Sequence, residues 1–409
     1  MKQKIELLAP AGDMEKLKFA LHYGADAVYL GGESFGLRTA SKNFSAQGIA
    51  EALDYAHQRG KRVYLTLNVI PHNQDIDQLG PYLASLKGLP LDGLILADPG
   101  TLMEVQEHLP EIPVHLSTQA NTTNRSAAVF WHRQGVKRIV LARELSLAEI
   151  AEIRSGTPET LELEAFVHGA MCISYSGRCL LSNYMAGRDA NQGACAHPCR
   201  WKYALVEEKR PGEYLPVDED EGGTYIYNSK DLCMIPHLPE LAAAGLTSLK
   251  IEGRVKSAYY VATVARAYRA ALDAYYSDPE GYTFNPLWLE EVKKASHRDF
   301  TTGFYFGRAD ETAQTYEKSS YIRDYDIIGI VQSYDPETGT AVVEQRNHFR
   351  VGDTVELMRR RIDDAELVIT AISDLEGTPR DTAPHPQEQV RISLPVPAEP
   401  MDILRKRVQ

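Results

Sequence analysis

Cysteine is scarce in this chain, with five in 409 residues. Basic charge is short as well: 44 Lys and Arg stand against 56 Asp and Glu, a formal net charge of −12. That balance excludes a protein that coats nucleic acid with its whole surface, but leaves room for a partner held by a local basic patch. No apolar run reaches the roughly 20 residues of a membrane span. The opening MKQKIELLAPAG lacks an apolar signal core and a cleavage site, and runs straight into an expected strand. A cytoplasmic protein without a membrane partner is expected, in a compartment where thiols stay reduced. No HExxH zinc helix occurs. The 44% of hydrophobic residues can fill ordinary cores, and the length suggests two or three domains.

The few cysteines present are crowded. Cys172, Cys179, Cys195 and Cys199 fall in CISYSGRCLLSNYMAGRDANQGACAHPCR with the spacing C-x6-C-x15-C-x3-C. Four soft thiolates make a complete first shell for zinc or an iron–sulfur cluster. The spacing departs from zinc sites built of two C-x2-4-C knuckles, which favours iron–sulfur over structural zinc, and both over scattered core or surface cysteines. Cys233, in the helix-like KDLCMIPHLPELAAAG, reads as a buried small apolar residue or a spare ligand.

From residue 4 to about 278, short β-rich runs alternate with amphipathic segments. The runs are IELLAP (5–10), ADAVYLGG (25–32), RVYLTLN (62–68), GLILAD (93–98), PVHLSTQ (113–119), RIVLARE (138–144), LELEAFVHG (161–169) and SLKIEGR (248–254). Asp, Ser or Asn opens several of the intervening helical stretches, and Gly closes several. Eight such alternations predict a (β/α)8 TIM-like barrel over 1–278, in preference to an open doubly wound sheet. The cysteine-rich insertion, 170–230, follows the seventh strand and so lies at the C-terminal face, where such barrels place their active sites. It includes the acidic stretch VDEDEGGTY, expected as a surface turn. Residues 279–320 read as a connector. Residues 321–409 alternate strand-like runs with turn signals, which predicts a small C-terminal antiparallel β-barrel, a candidate RNA-binding accessory domain.

Strand alternation puts Tyr64, Thr66 and Asn68, His115, Ser117 and Gln119, Glu162, Glu164, Phe166 and His168, and Lys250, Glu252 and Arg254 on one face of four strands. Asp98 and Arg143 end two more. Polar residues facing a barrel interior need either one another, as a closed salt-bridge network, or a polar ligand. Glu164, His168 and Glu252 are the acid–base candidates. Asn68, Asp98, Gln119, Arg143, Lys250 and Arg254 are candidates for binding substrate. Arg200, Trp201 and Lys202, directly after the last clustered cysteine, could grip phosphate and stack a base, though Trp201 also reads as a core aromatic. Lys256 and the run Met358-Arg359-Arg360-Arg361 are further basic features, of a kind that is commonly just a solvated face.

The segment EAFVHGAMCISYSGRCLLS, residues 164–182, resembles the signature of the collagenase-related peptidase family of formally unknown catalytic type. Glu164, Phe166, Gly169-Ala170-Met171-Cys172, Gly177, Cys179 and Ser182 fill its positions. LLAPAGDMEKLKFALHYGADAVYLGG, QAN at 119–121, NQGACAHPCRW, NSKDL and SLKIEGR resemble it too, so the likeness runs in order from about residue 5 to 307. Several members of that family are oxygen-independent hydroxylases with a [4Fe-4S] cluster, acting on the wobble uridine of tRNA, on a cytidine of large-subunit rRNA, or on ubiquinone precursors. NQGACAHPCRWKY and the C-terminal domain are most similar to the tRNA branch. That resemblance implies synthesis of 5-hydroxyuridine, Cys172, Cys179, Cys195 and Cys199 as cluster ligands, prephenate as co-substrate with a cation site to hold it, and tRNA as partner, with an identical or paralogous subunit as a further one. A peptidase, a hydroxylase of rRNA or another substrate, and an RNA-binding accessory with structural zinc are the alternatives.

Overall fold

The computed structural model describes residues 4–36, 43–172, 174–201, 204–206, 214–216, 230–307 and 321–408, with backbone only for 204–206, 214–216 and Arg200. Lys202 and the VDEDEGGTY stretch lie outside them. Two compact units divide the chain. One comprises Met1–Leu17, Asp26–Lys256 and Arg298–Tyr321, the other Lys18–Ala25, Ser257–His297 and Ile322–Gln409.

The first unit is a closed parallel barrel. Its strands are β1 (Glu6–Pro10), β2 (Ala27–Gly31), β3 (Arg62–Leu67), β4 (Gly93–Leu96), β5 (Val114–Leu116), β6 (Arg138–Val140), β7 (Glu162–Ala170) and β8 (Ser248–Ile251), in that order around the ring. Closure comes from β8, which pairs with β1 through Leu8↔Lys250 and with β7 through Phe166↔Lys250. Helices return the chain between most strands, and their starts follow from local chemistry. Ser45, Asp98, Asn124 and Ser146 each accept a hydrogen bond from the backbone N–H three residues on, satisfying a donor that the first turn leaves open. Leu8, Ala27, Tyr29, Tyr64 and Ile95 pack together as one buried cluster.

The segment around Cys233 differs from its helical expectation. Asp231–Cys233 is a short strand antiparallel to β7, followed by a 3-10 turn, Ile235–His237, and only then the helix Leu238–Ala243. Pro236 and Pro239 explain this: neither has an N–H to extend a helical ladder, so each is tolerated only at the start of a turn. Cys233 itself is 4% exposed.

In the second unit, an eight-stranded curled antiparallel sheet runs in the order Ala365–Val368, Thr354–Met358, Ile403–Arg407, Tyr325–Asp335, Thr340–Gln345, Gln389–Ser393, Ile372–Ser373, Pro379–Arg380. Val331, Val343, Phe349, Val355, Leu357 and Leu404 are among its core. The helices Ala258–Ser277 and Pro286–Lys293 belong to this unit. Arg266, Glu291, Asp364 and Arg405 form a buried ion network there, with Arg405 bonded to Glu291 at 2.7 and 2.9 Å and to Asp364 at 2.7 Å. Among the described residues, no helix is long and apolar enough to cross a membrane.

Candidate functional site

Deep in the barrel, the inward polar residues satisfy one another. Glu164 accepts from Lys250 Nζ at 2.8 Å and from Arg138 at 3.1 Å. Arg138 also donates to Glu6 at 2.5 Å and to Glu162 at 2.7 Å. Glu6 in turn accepts from the Tyr64 hydroxyl at 2.7 Å and the Ser248 hydroxyl at 3.1 Å, and pairs with Arg62 at 2.9 Å. Three carboxylates thus meet three cations. Burial alone would push the Glu164 carboxyl up, but Lys250 and Arg138 outweigh it and hold its pKa at about 2. Glu164 therefore remains a carboxylate at physiological pH, fixed as a counter-ion rather than free to exchange a proton. Burial, reinforced by Arg138, lowers His115 far below the usual histidine range and keeps it neutral.

Above this floor, at the C-terminal ends of the strands, an open cavity of about 1180 Å³ (adjoining solvent included) has a different lining. Asn68, Gln119, Arg143, Lys250, Glu252 and Arg254 share it with Cys172, Cys179, Cys195 and Cys199. Ten of the residues singled out by sequence therefore converge on one volume. Asn68 donates to Gln119 Oε1 at 2.8 Å, and Gln119 returns a bond to the Asn68 carbonyl at 2.7 Å. This reciprocal pair fixes both amides. Arg254 is 3% exposed and donates to Thr66 at 3.2 Å and Asn43 at 2.7 Å. Its guanidinium needs the missing side chain of Gly31, where a Cβ would stand 2.1 Å from it.

Arg143 links the barrel to the cysteine insertion. It donates to the Ala170 carbonyl at 3.0 Å, the Ser176 hydroxyl at 2.7 Å and the Cys172 sulfur at 3.2 Å, and lies 5.2 Å above the Phe166 ring. The five cysteines are all free. Among the described residues, no three ligating side chains stand gathered as a metal shell. The donor set itself fits a thiophilic group: four thiols on the wall of one cavity, one of them within hydrogen-bond reach of the Arg143 guanidinium. Cys172 is exposed, Cys179, Cys195 and Cys199 are half-buried, and Cys233 is buried.

Three expected site residues lie elsewhere. Asp98 caps the helix Pro99–His108 through Thr101 N at 3.0 Å, a task that commits its carboxylate to backbone. His168 is 2% exposed, lies outside the cavity lining, and has its ring 5.5 Å from that of Phe300. A register shift explains its departure from the inward set: Lys250 pairs with Phe166 but Ile251 with His168, so β7 carries one extra residue and its alternation reverses there. Glu164 sits in the floor, as above. Trp201 is 45% exposed rather than a core aromatic. The sequence reading missed Glu6 and Arg138, whose inward parity on β1 and β6 was legible. It also missed His197, which lines the cavity between two of the cysteines and whose N–H donates to the Cys195 sulfur at 3.4 Å.

The molecule is a (β/α)8 protein with a cation-rich, thiol-lined cavity at the mouth, joined to a small antiparallel β unit. The family described as Peptidase family U32 matches residues 12–315, and Peptidase family U32 C-terminal domain matches 323–405. The chain belongs to this family. It is 41% identical over 404 residues to tRNA hydroxylation protein P1 of Bacillus subtilis (strain 168), covering 99% of this chain and 95% of that one. To tRNA hydroxylation protein P of Escherichia coli (strain K12) it is 39% identical over 394 residues, 87% of this chain and 86% of that one. To the 23S rRNA 5-hydroxycytidine C2501 synthase of the same organism it is 37% identical over 271 residues, 66% of this chain and 40% of that one.

Proposed function

We propose that this protein is a tRNA-modifying hydroxylase that converts the wobble uridine to 5-hydroxyuridine without molecular oxygen. The observation that carries the reading is the meeting of four cysteines and three cations, Arg143, Lys250 and Arg254, around one cavity at the barrel mouth. Two relatives named for tRNA hydroxylation, alike over most of both chains, support tRNA as the substrate.

Replacing C5–H by C5–OH removes two electrons from the base. A donor R–OH that leaves as R–H closes both the oxygen and the electron balance, and prephenate is the donor of choice. Its two carboxylates need fixed cations. Arg143 and Arg254 suit them, since a guanidinium offers paired donors in a rigid fork. Lys250, partly committed to Glu164, adds positive charge between them. Asn68 and Gln119 orient a carbonyl or hydroxyl, the Asn68 amide held by Gln119 Oε1 and the Gln119 amide by the Asn68 backbone carbonyl. Glu252 lines the cavity and is the acid–base candidate, while Glu164 positions Lys250.

Cys172, Cys179, Cys195 and Cys199 would hold a [4Fe-4S] cluster, with zinc as the lesser alternative. Such a cluster supplies one-electron chemistry at low potential, and binds substrate if one iron lacks a thiolate. The wobble base is already unpaired in an anticodon loop, so it can enter the cavity without opening a duplex. Arg200, Trp201 and Lys202 serve as contacts to the RNA. The cytoplasm is the setting this chemistry requires.

Nucleoside mass spectrometry of bulk tRNA from cells with and without the gene tests the reading. We expect 5-hydroxyuridine and its derivatives to disappear on deletion and to return with the wild type but not with Cys172→Ala. Unchanged wobble modification in a genome without a paralogue would overturn it.

A further inference from the structure

Large exposed apolar side chains concentrate in one short stretch of the first unit. Of six exposed aromatic residues among the described ones, Tyr175, Tyr184 and Trp201 fall within 27 consecutive positions, at 46%, 84% and 45% exposure. Leu180 and Met185 are exposed beside them. Stranded apolar surface of this density marks an interface. The same stretch interleaves the aromatics with cations: Arg178 lies between Tyr175 and Tyr184, and Arg188 between Tyr184 and Trp201. Both arginines are exposed. Residues 174–201 contain three arginines and one carboxylate, in a chain of net charge −12. That carboxylate, Asp189, is committed to the backbone N–H groups of Asn191 and Gln192.

The backbone under this surface is firmly held. Tyr184 rides on the helix Leu181–Ala186, which Gly187 ends in the left-handed conformation at φ 61°. Ser182, the wholly buried residue of that helix, accepts from Ala196 N at 3.0 Å, next to Cys195. Arg188 N returns to the Ser182 carbonyl at 3.2 Å. Tyr175 itself lines the cavity, as do Cys179 and Ala190 on either side of the helix. The aromatic and basic side chains are thus mounted on the same short stretch that walls the cavity.

We infer that this rim is a stacking platform for unpaired RNA nucleotides, with Tyr175 and Tyr184 carrying base faces and Arg178 and Arg188 meeting phosphates. The inference deepens the proposed tRNA reading and rests on it. Local positive charge selects the occupant: an apolar protein patch would leave Arg178 and Arg188 without partners, and a second copy docked through this same stretch would set arginine against arginine, whereas single-stranded RNA supplies π faces and phosphates at alternating positions. The role of the platform is to hold the nucleotides flanking the target while the target base occupies the cavity.

The test is binding of a synthetic anticodon stem-loop RNA with an unmodified wobble uridine to the full-length protein, followed by fluorescence anisotropy. A blunt duplex of equal length serves as control. Tyr184 is so exposed that Tyr184→Ala should fold normally, and we expect it to weaken stem-loop binding roughly 10-fold, as loss of one stacked base does. Tyr184→Phe should restore affinity, and neither change should alter duplex binding. Arg188→Gln should weaken binding and lower the steepness of its salt dependence by a little under one phosphate contact. If the wild type binds the stem-loop and Tyr184→Ala binds it equally well, the platform is refuted and the tRNA reading stands. A wild type that fails to bind stem-loop or intact tRNA overturns both. A Tyr184→Ala protein with unchanged RNA affinity but an altered sedimentation coefficient assigns the surface to a second copy and also overturns the inference.

Discussion

The floor and the mouth of the barrel use the same residue types on the same strands to opposite ends. At the end of β8, Lys250 reaches down to a carboxylate at 2.8 Å while bordering the open cavity, and Glu252 and Arg254, two and four residues on and past the strand, line that cavity too. In the floor, three carboxylates and three cations pair with one another, and Lys250 alone of the six also lines the cavity. At the mouth, Arg143 bonds to a carbonyl, a hydroxyl and a thiol, and Arg254 bonds to a hydroxyl and an amide, so the bonds that orient these two guanidiniums include neutral groups. A buried polar residue facing a barrel axis is therefore functional or structural according to its height along the strand, not its parity.

The sharpest way to break this comparison is to unbalance the floor. Arg138→Met leaves Glu6 and Glu164 buried with one cation fewer, and should cost about 3–5 kcal/mol in urea unfolding of the barrel. Arg62→Met removes a partner of Glu6 whose side chain is 47% exposed, and should cost less than about 1 kcal/mol. Equal losses would mean that the network is not the closed structure described. At the mouth the expected pattern inverts: Glu252→Gln should reduce 5-hydroxyuridine formation on the order of 10²- to 10⁴-fold, the usual worth of an acid–base group, while leaving the urea transition in place. A Glu252→Gln protein that unfolds early but turns over normally would move Glu252 into the structural set.

How far the sequence revealed these roles depends on what each residue required. Strand positions were legible because period, Gly and Pro punctuation and helix caps all agree along the first 278 residues, and each expected run coincides with a strand. Asn68 and Arg254 reached the cavity because alternation carries past the ends of β3 and β8, whereas Gln119 sits in the 3-10 turn Thr118–Ala120, where consecutive residues, Thr118 and Gln119, both line the cavity. His168 did not, because a one-residue bulge is a pairing property of two strands and leaves no mark in either sequence. Asp98 failed for a different reason: Asp at a strand end is also the first residue of the next helix, and its cap accounts for it. Arg138 and Glu6 were legible as inward-facing on β6 and β1, but their pairing, at 2.5 Å, follows only once the ring closes. The cysteines needed no such closure, since the insertion carries all four.

Acid should act on the floor in a defined window. The Glu164 carboxyl has a folded value of about 2 against an ordinary 4.5, so its contribution is present in full above pH 4.5 and is lost as pH falls toward 2. That loss is roughly 3 kcal/mol, and thermal melts between pH 5 and pH 2.5 should show it as a falling Tm. Glu164→Gln in a Lys250→Met background should flatten this slope. A slope unchanged by the pair would remove Glu164 as its source.

The smallest effect separates two buried carboxyls with opposite company. Asp402, in the second unit, is as buried as Glu164, at 2% against 1% exposure, yet no cation pairs with it within 4 Å among the described residues. Burial, with the Glu399 and Asp363 carboxylates beside it, pushes its pKa up to about 6, against the Glu399 N–H bond of 2.8 Å and the Arg359 charge. The sign is therefore reversed. Its ordinary value is 3.8, so the folded state holds the proton more tightly than the unfolded one, and the associated stability is full below pH 3.8 and lost as pH rises through 6. Asp402→Asn keeps an oxygen for the Glu399 N–H and cannot ionise, so at pH 7.5 it should melt a few degrees above the wild type, and at pH 4.5 the gap should close. If the gap is the same at both pH values, ionisation is not its cause, and the contrast between the two carboxyls fails.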